Sequence, residues 1–177
     1  PGEPFAKAGL EGAVWDLAAQ ERGEPLWSLL GGRHRAIPSG AAIGLLPTLD
    51  DLFARVERFL REGYRRIKIK IEPGCDVELV RAIRQRFGEI RLMVDANAAY
   101  TLDHWPVLEE LDRCGLMMIE QPLAREAWEE HAELQGRLRT PICLDESAES
   151  LEAIQAIIRL GSARILNIKV QRMGGLQ

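Results

Sequence analysis

The chain has 177 residues, 46% of them hydrophobic and 28% charged, with a formal net charge of −4 at neutral pH. That is enough apolar material for one well-buried domain, and the acidic balance argues against nucleic acid or an anionic membrane as the main partner and for a small molecule. Cys75, Cys114 and Cys143 show no metal-ligand spacing; with no basic-then-apolar leader and no apolar run near about eighteen residues, the expectation is a cytoplasmic, non-membrane protein.

The first residue is Pro1 rather than Met, so an upstream portion is expected. Residues 5–30 read as helix, with Leu10, Ala13, Val14, Leu17 and Ala18 at three and four spacing, a break at Gly23-Glu24-Pro25, and a short second helix from Leu26 to Leu30. Trp15 and Trp27, at helical spacing, are read as core residues, and Arg33-His34-Arg35 as a solvated turn. From residue 36 strand and helix alternate. The predicted strands are 37–44, 65–71, 91–95, 116–119, 141–144 and 165–168; the predicted helices are 49–62, 76–87, 102–113, 126–137 and 151–160, with Asp76, Thr101 and Ser150 as caps. The fold class is therefore α/β: an incomplete TIM-type (β/α) barrel over 36–177, with six of the expected eight strands, preceded by a helical segment over 1–35. The next helix is expected to begin at Gly174-Gly175-Leu176-Gln177. Two open sheet edges, at 37–44 and 165–168, predict that this chain expressed alone self-associates.

The strands end on a ladder of charge. Lys70, Asp95, Glu120, Asp145 and Lys169 stand 25, 25, 25 and 24 residues apart, the period of a strand, loop, helix, loop unit. In a closed parallel barrel every strand ends at one rim, and the rim carries the chemistry. A single Asp at a strand end is usually a cap or a solvated loop residue, but Thr101 and Ser150 are better placed as caps than Asp95 and Asp145, and Glu120 is a poor capping type. Three bare carboxylates at one mouth repel, so a cation belongs among them; all-oxygen ligands favour Mg²⁺, with Mn²⁺ or another divalent cation as substitutes. His34, His104 and His131 lie away from the rungs and read as surface residues. Alternation puts Lys68 and Lys70 on one face, and Asn167 and Lys169 likewise. Repulsion within the lysine pair, together with the cation, lowers an ammonium pKa toward the range of a general base; the alternative is a structural network of lysines paired with the acids.

Lys68-Ile69-Lys70-Ile71-Glu72-Pro73-Gly74, Val94-Asp95-Ala96-Asn97, Ile119-Glu120-Gln121-Pro122-Leu123, Leu144-Asp145-Glu146-Ser147 and Asn167-Ile168-Lys169 with Gly174-Gly175 together resemble the enolase superfamily. Within it they look like the muconate-lactonizing-enzyme subgroup, most like the o-succinylbenzoate synthase and N-acylamino acid racemase family, from about Ala8 to the last residue. The resemblance implies Mg²⁺ held by Asp95, Glu120 and Asp145, a small-molecule carboxylate substrate bound to that ion, and Lys70 and Lys169 on opposite faces of its α-carbon. One lysine removes the α-proton to give an enediolate, the pattern described for enolase-superfamily sites in general. In racemisation the other lysine returns a proton. In o-succinylbenzoate synthesis, a step of menaquinone biosynthesis, water is expelled while Lys169 stabilises the intermediate as a cation. Lys68 tunes Lys70, and Asn97 and Asn167 support the site. It also implies a homo-oligomeric full-length parent, an N-terminal capping domain of which 1–35 is the helical remnant, and two further strands. Dipeptide epimerase, cycloisomerase and an inactive truncated fragment stand as alternatives.

Overall fold

Six parallel strands pair in the order in which the chain makes them: β1 (Ala41–Ile43), β2 (Arg66–Lys70), β3 (Arg91–Asp95), β4 (Ile119–Glu120), β5 (Ile142–Leu144) and β6 (Ile165–Leu166). A helix follows each one: α3 (Leu49–Arg61), α4 (Val77–Phe87), α5 (Trp105–Asp112), α6 (Trp128–Arg137), α7 (Leu151–Leu160) and α8 (Val170–Met173), while α1 (Pro4–Arg22) and α2 (Leu26–Leu29) precede the sheet. This computed structural model describes residues 2–33 and 36–176. His34 and Arg35 of the predicted solvated turn lie outside the described residues, as does the 35/36 boundary. Parallel neighbours with helical crossovers are the TIM-type arrangement, here with β1 and β6 as open edges among the described residues.

Local chemistry explains each element. In β2 the side chains alternate, with Ile67 and Ile69 fully buried under the helices and Arg66, Lys68 and Lys70 on the opposite face. Leu92, Val94, Ile119, Ile142 and Leu144 continue that buried layer, against Val56 of α3, Val80 and Ile83 of α4, Leu108 and Leu111 of α5 and Leu134 of α6. Helix starts are capped as expected at two positions: Asp76 accepts the Val77 N–H at 2.6 Å and Ser150 the Ala153 N–H at 3.1 Å. Thr101 instead opens a single 3₁₀ turn, Leu102–His104, because Pro106 in the first turn of α5 is suited to a helix start and not to a helix interior. Among the described residues no helix is long and apolar enough to cross a membrane.

Two expectations are corrected, for the last helix and for the two N-terminal tryptophans. The last helix is a single turn at Val170–Met173, and Gly174, at φ 86°, ends it rather than beginning one. The apolar stripe of α1 faces outward, with Leu10, Val14 and Leu17 at 74%, 67% and 57% exposure. Trp15 is only half-buried and Trp27 exposed, so neither is a core residue. Helical spacing selects a face of a helix but not what that face meets. What does hold α1 is Glu11, which accepts the Leu176 N–H at 2.6 Å and the Trp15 indole N–H at 3.2 Å, tying α1 to the turn after α8.

Candidate active site

Strands that run parallel in unbroken order finish at the same edge, so the ladder closes up in space. Lys70 lies beside Asp95 in the β2–β3 register and Asp95 beside Glu120 in the β3–β4 register, making one row across three strands. Cys143 aligns with Glu120, which sets Asp145 just beyond the end of β5. Asn167 and Lys169 come from the segment between β6 and α8 rather than from a strand. Asp95, Glu120 and Asp145 are all buried, at 4%, 2% and 3% exposure, so each carboxylate requires a partner.

The partners are cationic. Lys68 Nζ reaches Asp95 Oδ2 at 3.0 Å and Glu120 Oε1 and Oε2 at 3.0 and 3.1 Å. Lys169 Nζ meets Asp145 Oδ2 at 2.7 Å, and Arg172 Nη1 meets Asp145 Oδ1 at 3.1 Å while also donating to the Asp145 carbonyl. Asn167 Nδ2 approaches Glu120 Oε1 at 3.5 Å. A cavity of about 290 Å³ runs beside this group, lined in part by Lys68, Met93, Glu120, Cys143 and Asn167. Burial is the largest influence on Lys68 and works against its charge, yet the hydrogen bonds it donates to Glu120 and Asp95, together with their negative charge, outweigh it and raise the ammonium pKa. The immediate neighbours of Lys68 are thus two carboxylates rather than a second lysine. Burial also raises the Glu120 carboxyl; Lys68 opposes that, while Asp95 and Asp145 reinforce it.

Lys70 stands apart. Its Nζ donates to Asn97 Oδ1, and among the described residues no carboxylate pairs with it. Asn97 sits at φ 43°, a left-handed conformation that asparagine tolerates, and its backbone N–H donates to Asp95 Oδ1 at 3.2 Å. Its Nδ2 donates to Glu146 Oε1 at 3.1 Å. Glu146 Oε2 is buried and has no partner among the described residues.

A fully buried amide joins two rungs. Gln121 Oε1 accepts the N–H groups of Asp145 and Ser147 at 3.0 and 3.1 Å; its Nε2 donates to the Leu123 carbonyl at 3.1 Å and to Ser147 Oγ at 2.8 Å. Every hydrogen-bonding position of the carboxamide is used. His131, expected at the surface, is buried: its Nε2 accepts the Leu123 N–H at 3.2 Å and its Nδ1 lies 2.7 Å from the Ala127 carbonyl. His104 is half-buried, edge-on to Tyr100 at 5.5 Å. Cys143 packs as expected, buried in β5, with burial pushing its thiol up to about 12. Arg172, Gln121 and Ser147 carry no role in the sequence reading. Arg172 had a usable signal, being three residues after Lys169 on one helical turn; Gln121 had a weaker one, a polar residue between a buried acid and a proline.

The donor set is three buried carboxylates, the chemistry that suits a hard divalent cation. As the side chains stand they engage Lys68, Lys169 and Arg172, and among the described residues no three His, Cys, Asp or Glu side chains are spaced to enclose an ion. The donors fit Mg²⁺ by type.

The enolase C-terminal domain-like family matches residues 51–177. The o-succinylbenzoate synthase of Geobacillus kaustophilus is 54% identical over 172 residues, 97% of this chain and 46% of that protein. The N-succinylamino acid racemase of Thermus thermophilus is 48% identical, over 98% of this chain and 47% of its own length. Among solved structures, the dipeptide epimerase of Cytophaga hutchinsonii, determined with Mg and the dipeptide D-Ala-L-Val, superposes with a TM-score of 0.88 at 26% identity, covering 99% of this chain and 49% of that one. The chain spans about half the length of the curated relatives it matches.

Proposed function

This chain belongs to the enolase C-terminal domain-like family, and we propose that the full-length protein removes the α-proton of a small carboxylate substrate, as a racemase of N-acylamino acids or an o-succinylbenzoate synthase does. The observation that carries this reading is the convergence of Lys70, Asp95, Glu120, Asp145 and Lys169 on one rim. Asp95, Glu120 and Asp145 would hold Mg²⁺, which when bound supplies positive charge to the substrate carboxylate and so acidifies its α-carbon. Lys70, bonded to a neutral amide rather than a carboxylate, is the better placed of the two lysines to act as base. Lys169, ion-paired with Asp145, serves the opposite face: in racemisation it delivers a proton to the α-carbon, or removes one when the other enantiomer binds, and in dehydration it stays as a cation beside the intermediate while Lys70 returns the abstracted proton to the departing hydroxyl, which leaves as water. Lys68 bridges Asp95 and Glu120 and orients the two carboxylates.

The test is α-proton exchange of each enantiomer of an N-succinylamino acid in D₂O with full-length protein and Mg²⁺, followed by NMR. Lys70→Ala and Lys169→Ala each abolish racemisation, and each leaves exchange from a single enantiomer. Parental racemisation in either variant refutes the two-face assignment, and exchange that survives chelation of divalent metal refutes the ion.

A further inference from the structure

Asn97 faces two charges at once. Its carboxamide has a donor end and an acceptor end of nearly the same shape, so the amide can turn over at little steric cost. Only one orientation suits both neighbours: Oδ1 toward the Lys70 ammonium and Nδ2 toward the Glu146 carboxylate. The reversed amide would set N–H groups against the ammonium and an oxygen against the carboxylate. Lys70 cannot enforce the choice alone, since it is exposed at the end of a flexible stem, and Asn97 is itself exposed. Glu146 can, because it is half-buried with Oε2 sealed from solvent in the segment that joins β5 to α7, directly after Asp145.

We infer that Glu146 is a positioning residue for Lys70: by accepting the Asn97 amide N–H it turns the Asn97 oxygen toward the Lys70 ammonium and fixes that lysine at the rim. The inference rests on the proposed α-proton chemistry for its kinetic consequence, but the geometry concerns Lys70, Asn97 and Glu146 alone. It explains why an acid at position 146 stands beside the ladder acid at 145 without joining the group around Glu120. A charge-assisted hydrogen bond of this kind is worth a factor of roughly 10 to 100.

The experiment uses full-length protein with Mg²⁺ and reads deuterium exchange separately for the two enantiomers of an N-succinylamino acid. The enantiomer whose exchange is lost in Lys70→Ala defines the Lys70 face. Glu146→Leu, which keeps the bulk and removes the acceptor, is expected to slow exchange on that face roughly tenfold or more and to leave the Lys169 face within about twofold. Glu146→Gln, which keeps an oxygen for the Asn97 N–H, recovers most of the lost rate. In an Asn97→Ala background Glu146→Leu adds nothing further, the non-additivity expected of residues acting through one another. Equal slowing on both faces, or full additivity with Asn97→Ala, overturns the inference and makes Glu146 a structural or metal-site residue. Should the unaltered protein exchange neither enantiomer, the proposed chemistry falls instead. The inference is then judged by mass-spectrometric labelling of lysines with a small acylating reagent: Lys70 labelling several-fold faster in Glu146→Leu, with Lys169 unchanged, sustains it, and unchanged Lys70 labelling overturns it.

Discussion

Lowering the pH through the weakly acidic range should destabilise this fold through His131 in particular. Its Nε2 accepts the Leu123 N–H and its Nδ1 faces the Ala127 carbonyl, so the ring is neutral with its proton on Nδ1. A second proton on Nε2 would meet an N–H and break that bond. Burial is the largest cause of its depressed pKa, with the Ala127 bond and Glu130 pulling weakly the other way, and the result is a fall from 6.5 to about 4. Because the folded pKa lies below the unfolded one, the unfolded chain takes up a proton that the folded chain refuses. The stability is fully present above pH 6.5 and is lost progressively as the pH falls to about 4. Between about pH 7.5 and about pH 4.5 the loss comes to about 2.5 kcal/mol. Many carboxylates titrate in the same range, so the measurement is a difference: urea unfolding of full-length protein against its His131→Gln variant at both pH values. The stability advantage of the parent over the variant should shrink by about 2.5 kcal/mol on acidification. An advantage that does not change with pH, or an imidazole resonance titrating at its ordinary value in the folded protein, would refute the reasoning.

Two further outcomes are expected. Gln121→Leu leaves the Asp145 and Ser147 N–H groups unpaired in a site closed to water, which should cost about 2–5 kcal/mol in urea unfolding; a cost under about 1 kcal/mol would mean that the two loops do not depend on the amide. The 177-residue chain expressed alone presents β1 and β6 as open edges and should scatter light as an oligomer or aggregate, whereas a monomeric species with a sharp unfolding transition would show that six strands suffice.

The period of the chain was legible without any structure, because it is set by local rules. Apolar runs of strand length, capped helices and short connections repeat about every 25 residues, and in a parallel sheet equal spacing brings equal positions to one edge. That is why Lys70, Asp95 and Glu120 could be placed in a row that the register then displays. Composition and periodicity could not say what each polar group would touch. His131 and Leu10 show the same limit from opposite sides: the ring belongs to a helix that packs over the loop after Glu120 and is buried, while the leucine belongs to a regular apolar stripe and is 74% exposed. The pKa of Lys68 is raised through Asp95 and Glu120 against the pull of burial, and those two carboxylates lie 27 and 52 residues away in sequence but 3.0 Å away in space. The order of strands and helices and the caps at Asp76 and Ser150 follow from neighbours in the chain, and the sequence determines them by itself. The partners of Gln121, Glu146 and Arg172 lie across the rim, and only the packing of one strand-helix unit on the next decides them, because burial and charge pairing depend on distances that local periodicity does not contain.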